Sequence, residues 1–166
     1  MAQLTYDKLR PIGYDGQLAT TEPHITFAMR NDDAGNMPFG RAVIHDSVSD
    51  ETAASKLTAI TGETVAGIVL KQESYADTQI AADGVLPGNH LNVLVRGRVL
   101  VVCEDGCNVK DRLHIRAVLA GVEESGALLA AQDGTDTIDA TSQGVWLTSA
   151  AAGGLAWLEV DFTRKL

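Results

Sequence analysis

From Leu91 to Ala120 the chain reads L-N-V-L-V-R-G-R-V-L-V-V-C-E-D-G-C-N-V-K-D-R-L-H-I-R-A-V-L-A, an order of residues that argues for strands and against a helix. Leu91–Val95 and Arg98–Cys103 are rich in valine and leucine, residues that suit a pleated, half-buried surface. Gly97 lies between the two runs, and E-D-G at 104–106 offers a turn with positive φ at Gly106. From Leu113 to Leu119 the chain alternates, with Leu113, Ile115 and Ala117 on one parity and His114, Arg116 and Val118 on the other. The pattern predicts a meander of half-buried antiparallel strands, with His114 and Arg116 toward solvent.

The same texture begins after Arg41. Ala42–His45 is the first candidate strand, and Thr64–Leu70 reads as a buried strand whose Gly67 marks a bulge or a close approach. Residues 71–88 read as a loop with at most one helical turn, hemmed in by Gly84 and Pro87-Gly88. A strand is expected over Ala127–Ala131, then a polar excursion over 132–139. The chain closes with G-V-W-L-T and L-A-W-L-E-V-D-F, joined by S-A-A-A-G-G. In the last strand Ala156, Leu158, Val160 and Phe162 share the parity expected to face the core. Many short strands, glycine-rich turns and hardly any credible helix predict an all-β fold: a β-sandwich or a small β-barrel core, with a jelly-roll-like arrangement among its forms.

Residues 1–37 differ from the rest. Pro11, Gly13, Gly16, Pro23 and Gly35 punctuate them, and no period is sustained. Apolar residues nevertheless recur, among them Leu4, Tyr6, Tyr14, Ile25 and Phe27. The segment is expected to be an extended N-terminal arm, laid over its own sheet or docked on a neighbouring subunit, followed by a single β-rich domain over 38–166. At the junction, N-M-P-F-G-R-A-V, Pro38 restricts Met37 to extended geometry and Gly40 lets the chain turn. Phe39 between them is predicted to be pinned in an apolar pocket as the anchor of the arm.

Composition narrows the function. The 166 residues are 45% hydrophobic and 21% charged, which suits one globular domain. Thirteen basic and 22 acidic residues give a net charge of −9, which leaves little with which to neutralise nucleic-acid phosphates. No apolar run is long enough to span a membrane, and the N-terminus has no signal-like core, so a soluble protein made in the cytosol is expected.

The search for chemistry returns little. Cys103 and Cys107 are separated by three residues, which fits neither a redox C-x-x-C nor paired zinc knuckles. Free structural thiols are expected, although a disulfide across the turn is geometrically open. A cysteine nucleophile would need a base from His24, His45, His90 or His114, and there is no G-x-S-x-G elbow. The D-G-T-D-T-I-D run lacks the spacing of a calcium loop, and no glycine-rich phosphate cradle opens a helix. No catalytic residue, metal site or cofactor is therefore assigned. Trp146 and Trp157, in the two C-terminal strands, are best explained by core or subunit-interface packing.

Several stretches taken together resemble one family. M-P-F-G-R-A-V, V-A-G-I-V-L, S-Y-A-D-T-Q, V-R-G-R-V-L-V-V and G-V-W-L-T-S-A-A-A-G-G-L-A-W-L-E-V occur in the order found in the cement, or decoration, proteins of tailed-bacteriophage capsids. The resemblance runs from about Met37 onward and departs at C-E-D-G-C and the acidic 104–112 connection. It implies a non-enzymatic virion protein, made in the host cytoplasm, on the outer surface of an icosahedral shell. Its partners would be the HK97-type major capsid protein and further copies of itself, with a homotrimer favoured over a homodimer, and neither nucleic acid nor membrane. The residues expected to anchor the arm or to contact capsid and sister subunits are Tyr6, Tyr14, Phe27, Pro38, Phe39, Arg41, Trp146 and Trp157. Two other readings are a carbohydrate- or receptor-binding β module that uses Trp157 as a platform, and a hydrolase that uses Cys103 or Cys107.

Overall fold

The computed structural model describes residues 13–45, 53–59, 64–71, 79–81, 83–117, 125–134 and 136–163. Among them there are no helices, and these residues form strands, turns and irregular connections, as the valine runs and glycine turns predict. The spine is β9, His90–Cys103, preceded by β1 (Gln17–Leu18), β2 (Ile25–Asn31), β3 (Met37–Pro38), β4 (Ala42–His45), β5 (Ala53–Ser55), β6 (Val65–Leu70), β7 (Ile80–Ala81) and β8 (Gly84–Val85). After it come β10 (His114–Arg116), β11 (Leu128–Leu129), β12 (Thr137–Asp139), β13 (Gly144–Trp146) and β14 (Gly154–Asp161).

Two half-structures share that spine. The first half of β9 pairs with β2 on one side and β6 on the other, so that Leu94 faces both Thr26 and Ile68. β6 pairs with β4, β4 with β5, and β5 runs parallel to β2. The pairings β9–β2–β5–β4–β6–β9 thus close into a small ring, which removes sheet edges in the way a barrel does. Its strands supply Met29, Val43, Ala54, Ala66, Val69, Leu91 and Val93 to one apolar cluster, joined by Met37, Phe39 and Val85. The second half of β9 pairs over its full length with β14, which in turn pairs with β13. Together with β10, β11 and β12, and with Ala42 of β4, Ile68 and Leu70 of β6 and Leu94 of β9, these strands enclose the larger cluster, including Val99, Val101, Leu113, Ile115, Leu128, Trp146 and Leu158.

The two β9 runs that sequence separates at Gly97 are one continuous strand. Gly97, at φ 137°, bends β9 without ending it, and the reason lies in its neighbours. β2 stops pairing at Ile25↔Arg96 and β1 pairs at Leu18↔Val99, so residues 19–24 step out over Gly97. A Cβ there would sit 2.8 Å from the Cβ of His24, which makes this a strand glycine of the close-approach kind. Gly67 plays a similar part on β6, at a register shift against β4, as its expected bulge or close approach implied.

Where sequence expects an extended segment before Met37, the described part lies in the main sheet. Gln17–Leu18 and Ile25–Asn31 both lie antiparallel to β9, so Ala42–His45 is the fourth strand and not the first. Short strands interrupted by turn residues show no local period, and their partners, β9 and for β2 also β5, lie far along the chain. Residues 1–12, with Tyr6, lie outside the described residues. The stretch expected as a loop after Lys71 also contains strand: β7 and β8 form a hairpin that pairs with β3 in a separate small sheet. Asn31, fully buried, ties that sheet to the ring by donating to the carbonyls of Gly35 (3.0 Å) and Val85 (2.9 Å). The polar excursion over 132–139 likewise ends in β12.

Candidate functional site

The expected arm junction is a three-segment meeting point. Phe39 is buried in the ring's cluster, and Lys71, at the end of β6, places its ammonium 5.5 Å from the Phe39 ring centroid and 5.6 Å from that of Tyr14. Such contacts contribute up to about 1 kcal/mol at exposed sites. Asp15 accepts from the backbone N–H of Val102 at 3.1 Å and lies 3.7 Å from Arg41. Its carboxylate fills the space where a Cβ of Gly40 would be, and Gly40 has φ 70°, so only glycine fits there. Pro38 is half-buried in β3, where Met37 takes the extended geometry that a following proline favours. Tyr14 keeps 37% of its surface exposed.

The other expected residues separate by burial. Trp146 is fully buried and its indole N–H donates to the Leu129 carbonyl at 3.3 Å, so it is core. Trp157 is half-buried on the outer parity of β14, and its backbone N–H donates to the Thr148 hydroxyl at 2.8 Å. Phe27 is 56% exposed, and Ile25, two residues before it on β2, is 40% exposed. Further along the same strand, Met29 and Asn31 turn inward. β2 therefore carries core residues at one end and displays large apolar ones at the other.

Ile25 also stands at the rim of a cleft of about 530 Å3 at the bend of β9. The cleft gathers Arg96, Arg98 and Arg112 with Glu22, Glu159 and Asp161. Arg98 bonds Glu159 at 2.8 Å and Glu22 at 3.0 Å, and the Glu159 hydrogen bond is the largest influence holding its guanidinium charged. This is a solvated lattice of opposite charges, worth little in stability.

At neutral pH the thiols are poor nucleophiles. Both are free and buried, and burial is the main cause pushing each above the usual thiol range, which keeps them protonated at neutral pH. His24 is engaged with the Glu22 carbonyl at 2.9 Å. Among the described residues no group of three His, Cys, Asp or Glu side chains converges as metal ligands.

Sequence reasoning missed one buried network altogether. Arg116, expected to face solvent, is 2% exposed. Its Nε donates to Glu104 at 3.1 Å, and its Nη2 lies 3.0 Å from both Glu104 Oε1 and Asp133 Oδ2. The parity of β10 is as predicted, with Leu113, Ile115 and Ala117 buried, but its polar face is covered by the turns that carry those carboxylates. Asp105 was missed as well; its carboxylate accepts from the backbone N–H groups of Ala130 and Ala131, both at 2.9 Å.

Two β cores fused along one long strand, thiols held protonated and large apolar side chains displayed on β2 together define an all-β structural module. The chain belongs to the phage structural cement protein family, whose model, described as structural cement protein (E217 gp24/Pam3 gp6), matches residues 2–161. It is thus a capsid-associated structural protein of a phage virion, and membership implies a non-enzymatic role. A chain in the structure titled "The capsid of Myoviridae Phage XM1" is 15% identical with a TM-score of 0.70, over 95% of this chain and 98% of that one, a likeness of fold. A second, from the crystal structure of the head fiber gp8.5 N base of bacteriophage phi29, is 16% identical over 87% of this chain and 98% of that one, with a TM-score of 0.47. No curated protein matches the chain.

Proposed function

We propose that the protein clamps the outer surface of an HK97-type shell, adding buried interface between neighbouring major capsid protein capsomers, and that it does so as a homo-oligomer, a trimer in preference to a dimer. Family membership supports the setting. The observation that carries the contact is the pair Ile25 and Phe27, displayed on a strand whose other end is locked into the core. A rigidly mounted, exposed aromatic loses little conformational freedom on docking, which is why such residues dominate interface energies. Tyr14 and the apolar residues of the first twelve, Tyr6 included, extend that surface in this reading, with Pro38, Phe39 and Arg41 holding its base. Trp157 serves as a half-buried contact between sister subunits.

The mechanism is linkage. A ligand that binds only the assembled shell stabilises assembly in proportion to its occupancy, and repetition over many equivalent sites multiplies the effect. The net charge of −9 suits a position outside the packaged nucleic acid. The test is rebinding to expanded shells that lack the protein. Wild-type protein is expected to co-sediment, and Phe27→Asp to need at least about tenfold more protein for half-saturation. Val109→Asp, which alters another exposed apolar side chain, is the control and is expected to bind as wild type. Undiminished binding by Phe27→Asp removes β2 from the contact, and failure of the wild type to co-sediment removes the clamp.

A further inference from the structure

The turn between Cys103 and Cys107 is clamped from behind by the connector of the β13–β14 hairpin. Gly153 N–H donates to the Cys103 carbonyl at 2.8 Å, while Cys107 and Ala150 exchange backbone hydrogen bonds of 2.9 and 3.0 Å. Gly106, at φ 84°, lies so close to the backbone of Ala150–Ala152 that a Cβ would come within 2.9 Å of the Ala152 nitrogen. With its outer face occupied in this way, the turn presents both side chains to the same apolar cluster. Both thiols belong to that one cluster, and each acts on the ionisation of the other. Cys103 Sγ also contacts Asp105 Oδ1 at 3.3 Å, and Cys107 Sγ contacts the Thr148 carbonyl at 3.4 Å. Cys107 is the thiol nearer the surface.

We propose that Cys103 and Cys107 are a paired redox site, reduced where the protein is made and closed to an intrachain disulfide once it meets an oxidising medium. The change of medium follows from its being a virion protein; the chemistry stands independently of how it binds a shell. The co-reactant is a small disulfide. Cys107, as thiolate, attacks one sulfur of that disulfide, releasing one reduced thiol and leaving a mixed disulfide at Cys107. The Cys103 thiolate then attacks the Cys107 sulfur, the second reduced thiol departs, and each protein thiol has lost its proton to solvent. Overall two protein thiols are oxidised by two electrons and one small disulfide is reduced to two thiols. Because burial favours the protonated form of both groups, the reaction is slow at neutral pH. It quickens as pH rises, by up to about tenfold per unit while the attacking thiol stays mostly protonated.

The experiment treats the native full-length protein with oxidised glutathione across pH 7 to 9, quenches with acid, and counts thiols by alkylation and intact mass. The expected product is a monomer that has lost both thiols and the mass of two hydrogen atoms, formed faster at higher pH. In Cys103→Ala the glutathione adduct at Cys107 is expected to persist, since the thiol that resolves it is gone. A lasting adduct on the wild type, disulfide-linked dimers, or two thiols still free when a denatured control has oxidised would each overturn the proposal. No shell enters the measurement, so its failure and that of the clamp are separate results.

Discussion

A guanidinium that is 2% exposed needs carboxylates at hand, and Arg116 has one from Glu104 and one from Asp133. Neither acid is itself deeply buried, with side chains 28% and 56% exposed, so the desolvation penalty falls mainly on the arginine. Arg116→Ala should lower stability by about 2–3 kcal/mol, the range for hydrogen bonds to charged groups, as read by urea unfolding. Arg116→Met should cost less, because the aliphatic stem is replaced and both acids can turn to water. An unchanged midpoint in the alanine variant would mean the network contributes nothing. Alternation along β10 is read correctly from sequence, but alternation says only which residues share a face. Whether that face meets water depends on turns 12 and 17 residues away.

At the scale of elements, glycine in a strand decides how closely two backbones approach. A Cβ on Gly67 would lie 2.2 Å from the Leu94 carbonyl oxygen, at φ 155°. Since the obstruction is backbone in the neighbouring strand, no side-chain rotation relieves it. Gly67→Ala is expected to cost about 2–3 kcal/mol by separating β6 from β9. Gly88 is the comparison: its φ of 75° is unfavourable for alanine, yet an added Cβ would meet nothing within 4 Å. Gly88→Ala should therefore cost only the left-handed backbone term, about 1–2 kcal/mol. Thermal melts of the two variants distinguish crowding from conformation, and equal losses would refute the close-approach account of Gly67.

For the whole molecule the question is whether two apolar clusters behave as one folding unit. β9 lines both, with Leu91 and Val93 in the ring's cluster and Val99 and Val101 in the larger one, and it pairs with β1, β2, β6 and β14 besides the single contact to β11. Loss of the ring would strip the first half of the spine of its partners on both sides, so a single cooperative transition is expected. Phe39→Ala, which empties a large side chain from the ring, should lower stability by about 3 kcal/mol. The same shift should appear in tryptophan fluorescence, although Trp146 belongs to the other cluster. A fluorescence midpoint that stays put while the circular-dichroism midpoint falls would show that the ring unfolds separately.

The sequence by itself determined what depends on near neighbours. Valine-rich runs, glycine turns and the parity of Leu113–Ala117 and Ala156–Phe162 made the fold all-β and named part of the larger core. The order of short motifs pointed to the capsid cement family. The buried Phe39 between Pro38 and Gly40 was legible too, since proline and glycine act through local backbone geometry. Only the tertiary structure decided the rest. It made β9 one strand across Gly97, drew Gln17–Leu18 and Ile25–Asn31 into the sheet, closed the ring through β2 and β5, buried Arg116, and left Ile25 and Phe27 exposed on β2. Each of these is a pairing between segments far apart in the chain. A strand's hydrogen bonds and the covering of its faces come from such partners, and no local pattern of residues encodes which ones they will be.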